Sequence, residues 1–448
     1  MPHESTDAVV CQSSEGTNLF IRSSVDFITT QRELFLVLAS VLLFLTSLGR
    51  CWASYNPGAS DPGASESWHL ALNLYRSGEF ANPFATLDTG PSAHLSPVFP
   101  AFLAVLMRVF GGKTAEASAL AAAAVLSFQV ALYPTLSKIF GMGEINGIVA
   151  ALALIFAGPR LNWAWDAHYV AILLAAVSCC YRRYLDESEL TRRKLAWLLG
   201  ASWGFLIFTS PAVAPIYATW IALEAWHRKG AFWARSLAPL VLLPILIVLP
   251  WAVRNYLVFH RFPIIRDNFG LELSVSNNDC AGPTMSGNFR SGCFATNHPN
   301  GSVNEARRVL ELGEVRYNEL KLREALSWIR VHPGRFAKLS IERFVAFWMP
   351  VNSFSILEEN RGRWLEFGTT YLMTILSGIG LVALYRRDVK SALVLASCLA
   401  AFPPVYYVVQ SSIRYRYPIM WVTFLLGAIP ITMCAQRLLQ SMMKSHER

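Results

Sequence analysis

ESWHLALNLYRSGEFANPF (Glu66–Phe84) and TGPSAHLSPVFPAFLAVLMRVFG (Thr89–Gly111) lie between two runs apolar enough to cross a bilayer. The whole stretch Tyr55–Gly112 is longer than a connector between spans requires. Loops this long are functional or disordered, and this one is too apolar and aromatic for disorder. Glu66 opens a helical pattern in which Trp68, Leu72 and Tyr75 share one face, with Leu70 and Leu74 beside it. The stretch predicts a pair of helices lying on the membrane surface, with the acids Asp61 and Glu66 held at the water boundary.

The rest of the chain agrees with a membrane setting. Of 448 residues, 54% are hydrophobic and 15% charged, and the mean hydropathy is +0.36. Soluble chains carry about 25% charged residues. The first apolar run, from Leu34, follows a polar stretch and has no small-residue cleavage site, so it reads as a retained span rather than a signal peptide. Spans are expected at 33–54, 114–140, 144–159, 167–182, 194–210, 212–227, 235–254, 366–385, 390–409 and 417–436, about ten in all at ~20 residues each. The net charge of +9 is no nucleic-acid footprint, because the basic residues cluster between spans. Arg182, Arg183, Arg192, Arg193 and Lys194 flank one loop, Arg228, Lys229 and Arg235 a second, and Arg386, Arg387 and Lys390 a third. The positive-inside rule then places both termini in the cytoplasm.

The expected fold is an all-α polytopic membrane protein with interfacial helices in the first outer loop and a small mixed outer segment. Residues 1–32 form a cytoplasmic tail. Residues 33–254 form the membrane core with the first outer loop at 55–113, and 255–363 an extracytoplasmic segment. Residues 364–436 supply the last spans and 437–448 a second tail. Within the outer segment, RNYLVFHRFPIIRDNFGLELSVSNND (Arg254–Asp279) alternates as extended structure does. RFAKLSIERFVAFWMP (Arg335–Pro350) suits a helix in the interface plane. Cys280 and Cys293 share this segment and are candidates for a disulfide.

Several residues could carry chemistry, each beside a plainer reading. Glu66 in the first turn of its helix meets the positive helix end, which keeps it ionised. It is either a favourable first-turn charge or a base for an incoming hydroxyl or amine. Asp61, followed by Pro62, also fits an N-cap with proline at the first helical position. Asp166 in NWAWDAHYVA is an N-cap or a second carboxylate facing the same cavity as Glu66. Arg414 and Arg416, in SSIRYRYPIM, precede the last span on the outer side, against the positive-inside trend. They anchor the interface, or their planar donor forks hold a lipid-linked phosphate, with Arg254 and Arg266 as further members of that patch. His94 and His168 read as polar interface residues or substrate contacts. His69, His94, His168, His298 and His332 show no metal-ligand spacing, and neither a P-loop nor a dinucleotide glycine fingerprint is present.

Taken in order, Glu66 with HLALNLYRSGEFANPF, TGPSAHLSPVFPAFLAVLMRVFG, WAWDAH, PWAVRNYLVFHRFPIIRDNFGLEL with SNN, HPN, LGEVRYNELKLREALSWIRVHPGRF and RYRYPI resemble the GT-C glycosyltransferases. The branch they resemble contains protein mannosyltransferases and the aminoarabinose transferase of lipid A. The resemblance runs from about the first span to the last. It implies a sugar donor on a polyprenyl phosphate, a lipid, glycan or protein acceptor, and no cofactor. It also implies a bacterial inner-membrane enzyme working at the outer, periplasmic face. An acid in the first outer loop would activate the acceptor for direct displacement at the anomeric carbon, with inversion. The resemblance thus casts Glu66 as base, Asp166 as supporting acid, and Arg414 and Arg416 as cations for the leaving phosphate. One departure stands out. Relatives place Asp a few residues before the helix, and counting back from SGEF that position is Gly63. The acid has moved to Glu66, or back to Asp61, or activity is lost. The competing classes are a transporter or lipid flippase, which calls for ionisable groups at mid-membrane, and a non-catalytic scaffold, which needs neither acid.

Overall fold

The computed structural model describes residues 12–55, 65–158, 165–227, 231–350 and 364–446. Among them the regular elements are helices, and strand-type pairing is confined to two isolated bridges, Ala81 with Pro91 and Thr284 with Ser411. The first half contains α1 (Gln12–Ala53), α2 (Glu66–Ser77), α3 (Val98–Phe110), α4 (Thr114–Ala131), α5 (Tyr133–Ile139) and α6 (Glu144–Ala157). It continues with α7 (Ala167–Tyr184), α8 (Glu189–Thr209), α9 (Ala214–His227) and α10 (Ala231–Phe259). A run of shorter helices follows: α11 (Phe269–Ser276), α12 (Met285–Arg290), α13 (Cys293–Asn297), α14 (Val303–Leu312), α15 (Glu314–Val331) and α16 (Pro333–Trp348). The chain closes with α17 (Trp364–Tyr385), α18 (Val389–Ala401), α19 (Val405–Val408) and α20 (Ile413–His446).

Six stretches among the described residues are long and apolar enough to cross a membrane: Gln31–Ala53, Val98–Ala131, Leu237–Phe259, Leu365–Tyr385, Val389–Val408 and Ile413–Ser445. The further spans expected at 144–159, 167–182, 194–210 and 212–227 coincide with α6 to α9, which are shorter or more polar. Their inner faces still build the main core. Trp203, Trp220 and Trp421 are fully buried in it, and Tyr181 stacks on Trp220 with ring centroids 4.2 Å apart. The expected interfacial helix α3 continues into α4 through a short 3-10 turn at Gly111–Lys113. Gly111 takes a positive φ of 53° there, which breaks the helical axis.

The described part of the first outer loop holds two helices, α2 and α3, but α3 belongs with α4 to one stretch long enough to cross a membrane rather than to a pair lying on its surface. Helix α2 ends at Gly78, whose φ of 75° is the left-handed cap that glycine adopts without strain. The chain then doubles back. Ser92 donates its N–H to Phe80 O at 2.9 Å, Asn82 donates to Gly90 O at 2.9 Å, and the Asn82 side chain accepts from Gly90 N at 2.8 Å. This return delivers His94 to the start of α2. Ala71 of α2 packs on Phe99, Leu103, Ala104 and Met107 of α3, with Trp68, Leu72 and Leu74 around them. Tyr75, expected on the packed face, is 45% exposed.

The outer segment corrects the reading of extended structure. Phe269–Ser276 is helix, and its flanks form turns and further helices. The apolar residues Leu271, Leu273 and Val275 alternate, but Leu271 and Val275 are also one helical turn apart, and a short apolar run does not separate the two periods. The segment docks on the chain just before α20. Asn277 donates to Val408 O at 3.0 Å, Gln410 N donates to Ser276 Oγ at 2.8 Å, and Met285 N donates to Ser411 O at 3.0 Å. Arg343, on the amphipathic α16, is fully buried at this joint and donates to Ser276 O, Asn277 Oδ1 and Val408 O. Cys280 and Cys293 form a disulfide that closes the turn beside it.

Helices α17 and α20 approach so closely that a Cβ added at Gly380 would meet the Leu426 carbonyl oxygen at 1.9 Å. A Cβ at Gly378 would meet nothing within 4 Å. Gly380→Ala is expected to destabilise the fold by about 1–3 kcal/mol through overpacking, and Gly378→Ala to leave it unchanged or slightly more stable. Thermal unfolding of both variants in detergent checks this; equal midpoints would contradict the packing described.

Candidate active site

Glu66 begins α2 and lies between two imidazoles. Its Oε2 is 3.3 Å from His94 Nε2 and its Oε1 is 3.5 Å from His298 Nε2. His94 comes from the loop that doubles back after α2, and His298 from the HPN turn of the outer segment. Both rings are almost wholly buried, whereas 21% of the Glu66 side chain reaches solvent. Phe84 lies edge-on to both, 5.1 Å from His94 and 6.0 Å from His298, and Phe294 stacks on His298 at 4.4 Å. The two segments are tied directly, since Ala85 N donates to Asn300 Oδ1 at 2.8 Å and Thr86 Oγ1 to Pro299 O at 2.5 Å.

The charges of this group follow from its contacts. Burial opposes ionisation of Glu66, but the charge and hydrogen bond of His94, with His298 and Arg414 beyond, outweigh it and hold the carboxyl at about 2. Burial works against a charged His94 too, yet Glu66 raises it above the ordinary imidazole value, with Glu314 and Glu272 adding to the effect. His298 moves the other way, because its burial outweighs the attraction of Glu66 and Glu272. The contacts thus favour the charged form at Glu66 and His94 and the neutral form at His298. The neutral ring's tautomer is set by the backbone: Asn300 N–H donates to His298 Nδ1 at 3.0 Å, so the ring proton sits on Nε2 and faces Glu66.

The same three side chains bring their ligand atoms within 4.8 Å of one another, a spacing that a metal ion could bridge. The sequence gives no hint of this, since His94 and His298 lie far apart along it. The hydrogen bonds do not fit a metal. A histidine that binds through one ring nitrogen donates the other N–H to an acceptor. His298 Nδ1 instead receives a backbone N–H, which puts the ring proton on Nε2 and leaves no lone pair there for a metal. At His94 neither ring nitrogen has a partner of hydrogen-bonding geometry.

The remaining predicted residues divide. Arg414, in the first turn of α20, lies close enough to act electrostatically on both Glu66 and Asp166. Its guanidinium stacks over Trp165 at 5.7 Å and Tyr415 at 4.8 Å, and Nη2 donates to Tyr415 Oη at 2.9 Å. Its Nε is buried without a hydrogen-bond partner. Asp166 stands at the N-cap position of α7 beside it, without a side-chain capping hydrogen bond. Burial pushes its carboxyl up, and Arg414 and Arg266 pull it back. Arg266 is exposed and donates to Asn268 Oδ1 at 2.8 Å.

Arg416 does not join Arg414. It is fully buried, and it donates to Trp348 O at 2.5 Å and Thr374 Oγ1 at 2.6 Å. Two residues along a helix turn the side chain by about 200°, so the expected pair of arginines splits between the site and the core. Arg254 is likewise engaged, donating to Ser92 O at 2.8 Å and Phe80 O at 3.1 Å. His168 packs edge-on against Tyr417 at 5.3 Å. Asp61 and Gly63 lie outside the described residues.

Sequence reasoning missed Glu272. It extends the acidic set at this end of the bundle, acting on His94, His298, Arg414 and Tyr415. An acid inside the apolar run FGLELSV was the available signal. Also missed was Asp267, pushed up to about 7 by burial and by Glu314, against the pull of His94.

No family model and no curated protein matches the chain. Among solved structures, the chain is similar to ArnT from Cupriavidus metallidurans bound to undecaprenyl phosphate, at 13% identity and a TM-score of 0.39, over 90% of this chain and 78% of that one. It is similar to the same protein in the apo state at 14% identity and a TM-score of 0.35, with the same coverage. Likeness at this level assigns neither an activity nor a substrate to this chain.

The Glu66–His94 ion pair has a defined pH window. His94 is raised on folding, so its contribution to stability is complete below about 6.5 and is lost as pH rises through the folded value. Glu66 is lowered, so its contribution is complete above about 4.5 and is lost as pH falls toward about 2. His94→Gln is therefore expected to lower the thermal midpoint most between those limits and progressively less at alkaline pH. Melting curves of both proteins across pH 4 to 9 measure the difference, and a constant gap would show that His94 carries no charge.

Proposed function

We propose that this protein is an integral-membrane glycosyltransferase that moves a sugar from a polyprenyl-phosphate donor to a lipid, glycan or protein acceptor. The observation that carries the reading is Arg414. A half-buried guanidinium acts on two carboxylates from separate segments, Glu66 and Asp166, and keeps a buried Nε–H without a partner. A phosphate oxygen would satisfy that donor, and arginine's fork suits it. Trp165 and Tyr415 flank the Arg414 guanidinium and Tyr406 stacks on Tyr415 at 4.7 Å, and rings of this kind suit the apolar face of a sugar.

Glu66 is the base in this reading. The acceptor hydroxyl attacks the anomeric carbon, its proton passes to Glu66, and the bond from that carbon to the phosphate oxygen breaks. Polyprenyl phosphate leaves with its charge on Arg414, and no general acid is required. Asp166 keeps Arg414 and Arg266 turned toward the phosphate. His94 and His298 fix the direction of the Glu66 carboxylate. An outer-face site is supported by the pairing of Arg182, Asp186, Asp388 and Lys390 at the other end of α7 and α18, where the basic loops collect. The same grouping favours an enzyme over a transporter, since Glu66, Asp166, Glu272 and Arg414 gather at one end of the bundle.

The test is transfer by purified protein from polyprenyl-phosphate sugars. Removing a general base costs about 10²–10⁴-fold, so Glu66→Gln should fall by at least ~10²-fold, while Asp166→Asn and Arg414→Gln should show smaller losses. Full transfer by both acid variants would rule out this site. A metal chelator should leave the rate unchanged; a chelator-sensitive rate restored by zinc or manganese would return the Glu66, His94 and His298 cluster to metal binding.

A further inference from the structure

Glu314 is the first residue of α15 and is 4% exposed. Its two carboxylate oxygens are both used on the loop that carries His94. Oε2 accepts from Ser92 Oγ at 2.6 Å, and Oε1 accepts from Ala93 N–H at 2.6 Å. Ser92 Oγ in turn accepts the N–H of His94 at 2.9 Å. The other polar groups of this short loop are also taken: Arg254 donates to Ser92 O at 2.8 Å, and Asp267 N–H donates to Ala93 O at 2.7 Å. One turn further along α15, Asn318 Oδ1 accepts from Leu271 N at 3.2 Å, beside Glu272. The start of α15 thus grips the backbone on both sides of the site without itself touching Glu66.

We infer that Glu314 is a positioning residue that holds His94 against Glu66 from the outer segment. A buried carboxylate with each oxygen on a different donor is rigid, and charge-assisted hydrogen bonds of this kind are short and strong. Without it, Ser92 loses its acceptor and Ala93 N–H is left unpaired, so the loop is free to turn the imidazole away. The His94 ring faces Glu66 on α2, Glu314 on α15, Glu272 on α11, His298 on the HPN turn and Asp267 on the loop after α10. Among these, Glu314 alone is bonded to the backbone on which His94 is mounted. The consequence for transfer rests on the function proposed above; the consequence for His94 does not.

Two variants and one readout independent of activity test this. Glu314→Ala removes both acceptors. Glu314→Gln keeps one through its amide oxygen and removes the charge. Histidine side-chain NMR on ¹⁵N-labelled protein follows the titration of His94, assigned by its loss in His94→Gln. The expected result is a His94 midpoint displaced downward in Glu314→Ala and less so in Glu314→Gln, with transfer reduced about 10²-fold in the former, the scale of a misplacement of ~1 Å. Unchanged His94 titration and an unchanged pH–rate profile, with a lower thermal midpoint only, would make Glu314 a structural residue and overturn the inference. If Glu314→Ala does not fold, Ser92→Ala breaks the same chain at its middle link and must displace the His94 midpoint in the same direction. A displaced midpoint in a protein that transfers no sugar would leave Glu314 as assigned and reject the glycosyltransferase reading.

Discussion

A carboxylate kept charged inside a protein needs compensation, because water no longer supplies it. Glu66 receives that compensation from three places that the chain brings together from a distance: His94 on the returning loop, His298 on the outer segment, and Arg414 at the start of the last helix. Each must arrive with its polar atoms aimed at one point. Much of the irregular structure serves that end. The left-handed turn at Gly78 reverses the chain after α2, the HPN turn shows Glu66 a ring whose far nitrogen is already occupied, and the joint at Ser276–Asn277 seats the outer segment on the residues before Arg414.

What the sequence made legible was what depends on length and local pattern. Apolar runs near the thickness of a bilayer read as helices in any context, and SGEF with TGPSAH marked a structured return between α2 and α3. Glu66 stood out because it opens a helix, and Arg414 because a cation there goes against the charge bias of the loops. The partners of Glu66 were not legible, since nothing local tells His94 and His298 apart from His69 or His332. Arg414 and Arg416 looked like one feature until the helix turned them apart. The alternation in FGLELSVS pointed to a strand because a run of eight residues fits either period, and that misreading also hid Glu272.

The outer segment is small, yet its contacts reach the candidate site. His298, Glu272 and Glu314 all come from it, and all act on Glu66 or His94. Arg343 supports the segment from beneath, a buried cation whose charge is met by carbonyl oxygens rather than by an acid. A segment that supplies one of the three groups acting on Glu66 and two of the acids acting on His94 is part of the candidate site, not an appendage to it. Its disulfide lies next to Asn278, at the end of the helix that carries Glu272, where it limits how far that helix can move.

One property of Glu66 bears on the proposed mechanism. A carboxylate held at about 2 is a weak base, and an effective catalytic base has a value nearer the working pH. The conflict eases when the donor is considered as part of the field. The groups that lower Glu66 are cations and donors, and Arg414 is among them. In the proposed reaction a phosphate on Arg414 would offset that cation's pull, the smallest of those acting on Glu66, and raise its basicity a little as the donor binds. Proton transfer also need not be complete at the transition state, because departure of the phosphate leaves positive charge on the sugar and makes the attacking hydroxyl more acidic as the new bond forms. A strongly basic Glu66 would instead be partly protonated in the empty site, and its neutral form could neither orient a hydroxyl nor stabilise the developing cation. In the proposed reaction, a low carboxylate keeps Glu66 ionised and aimed before the donor arrives.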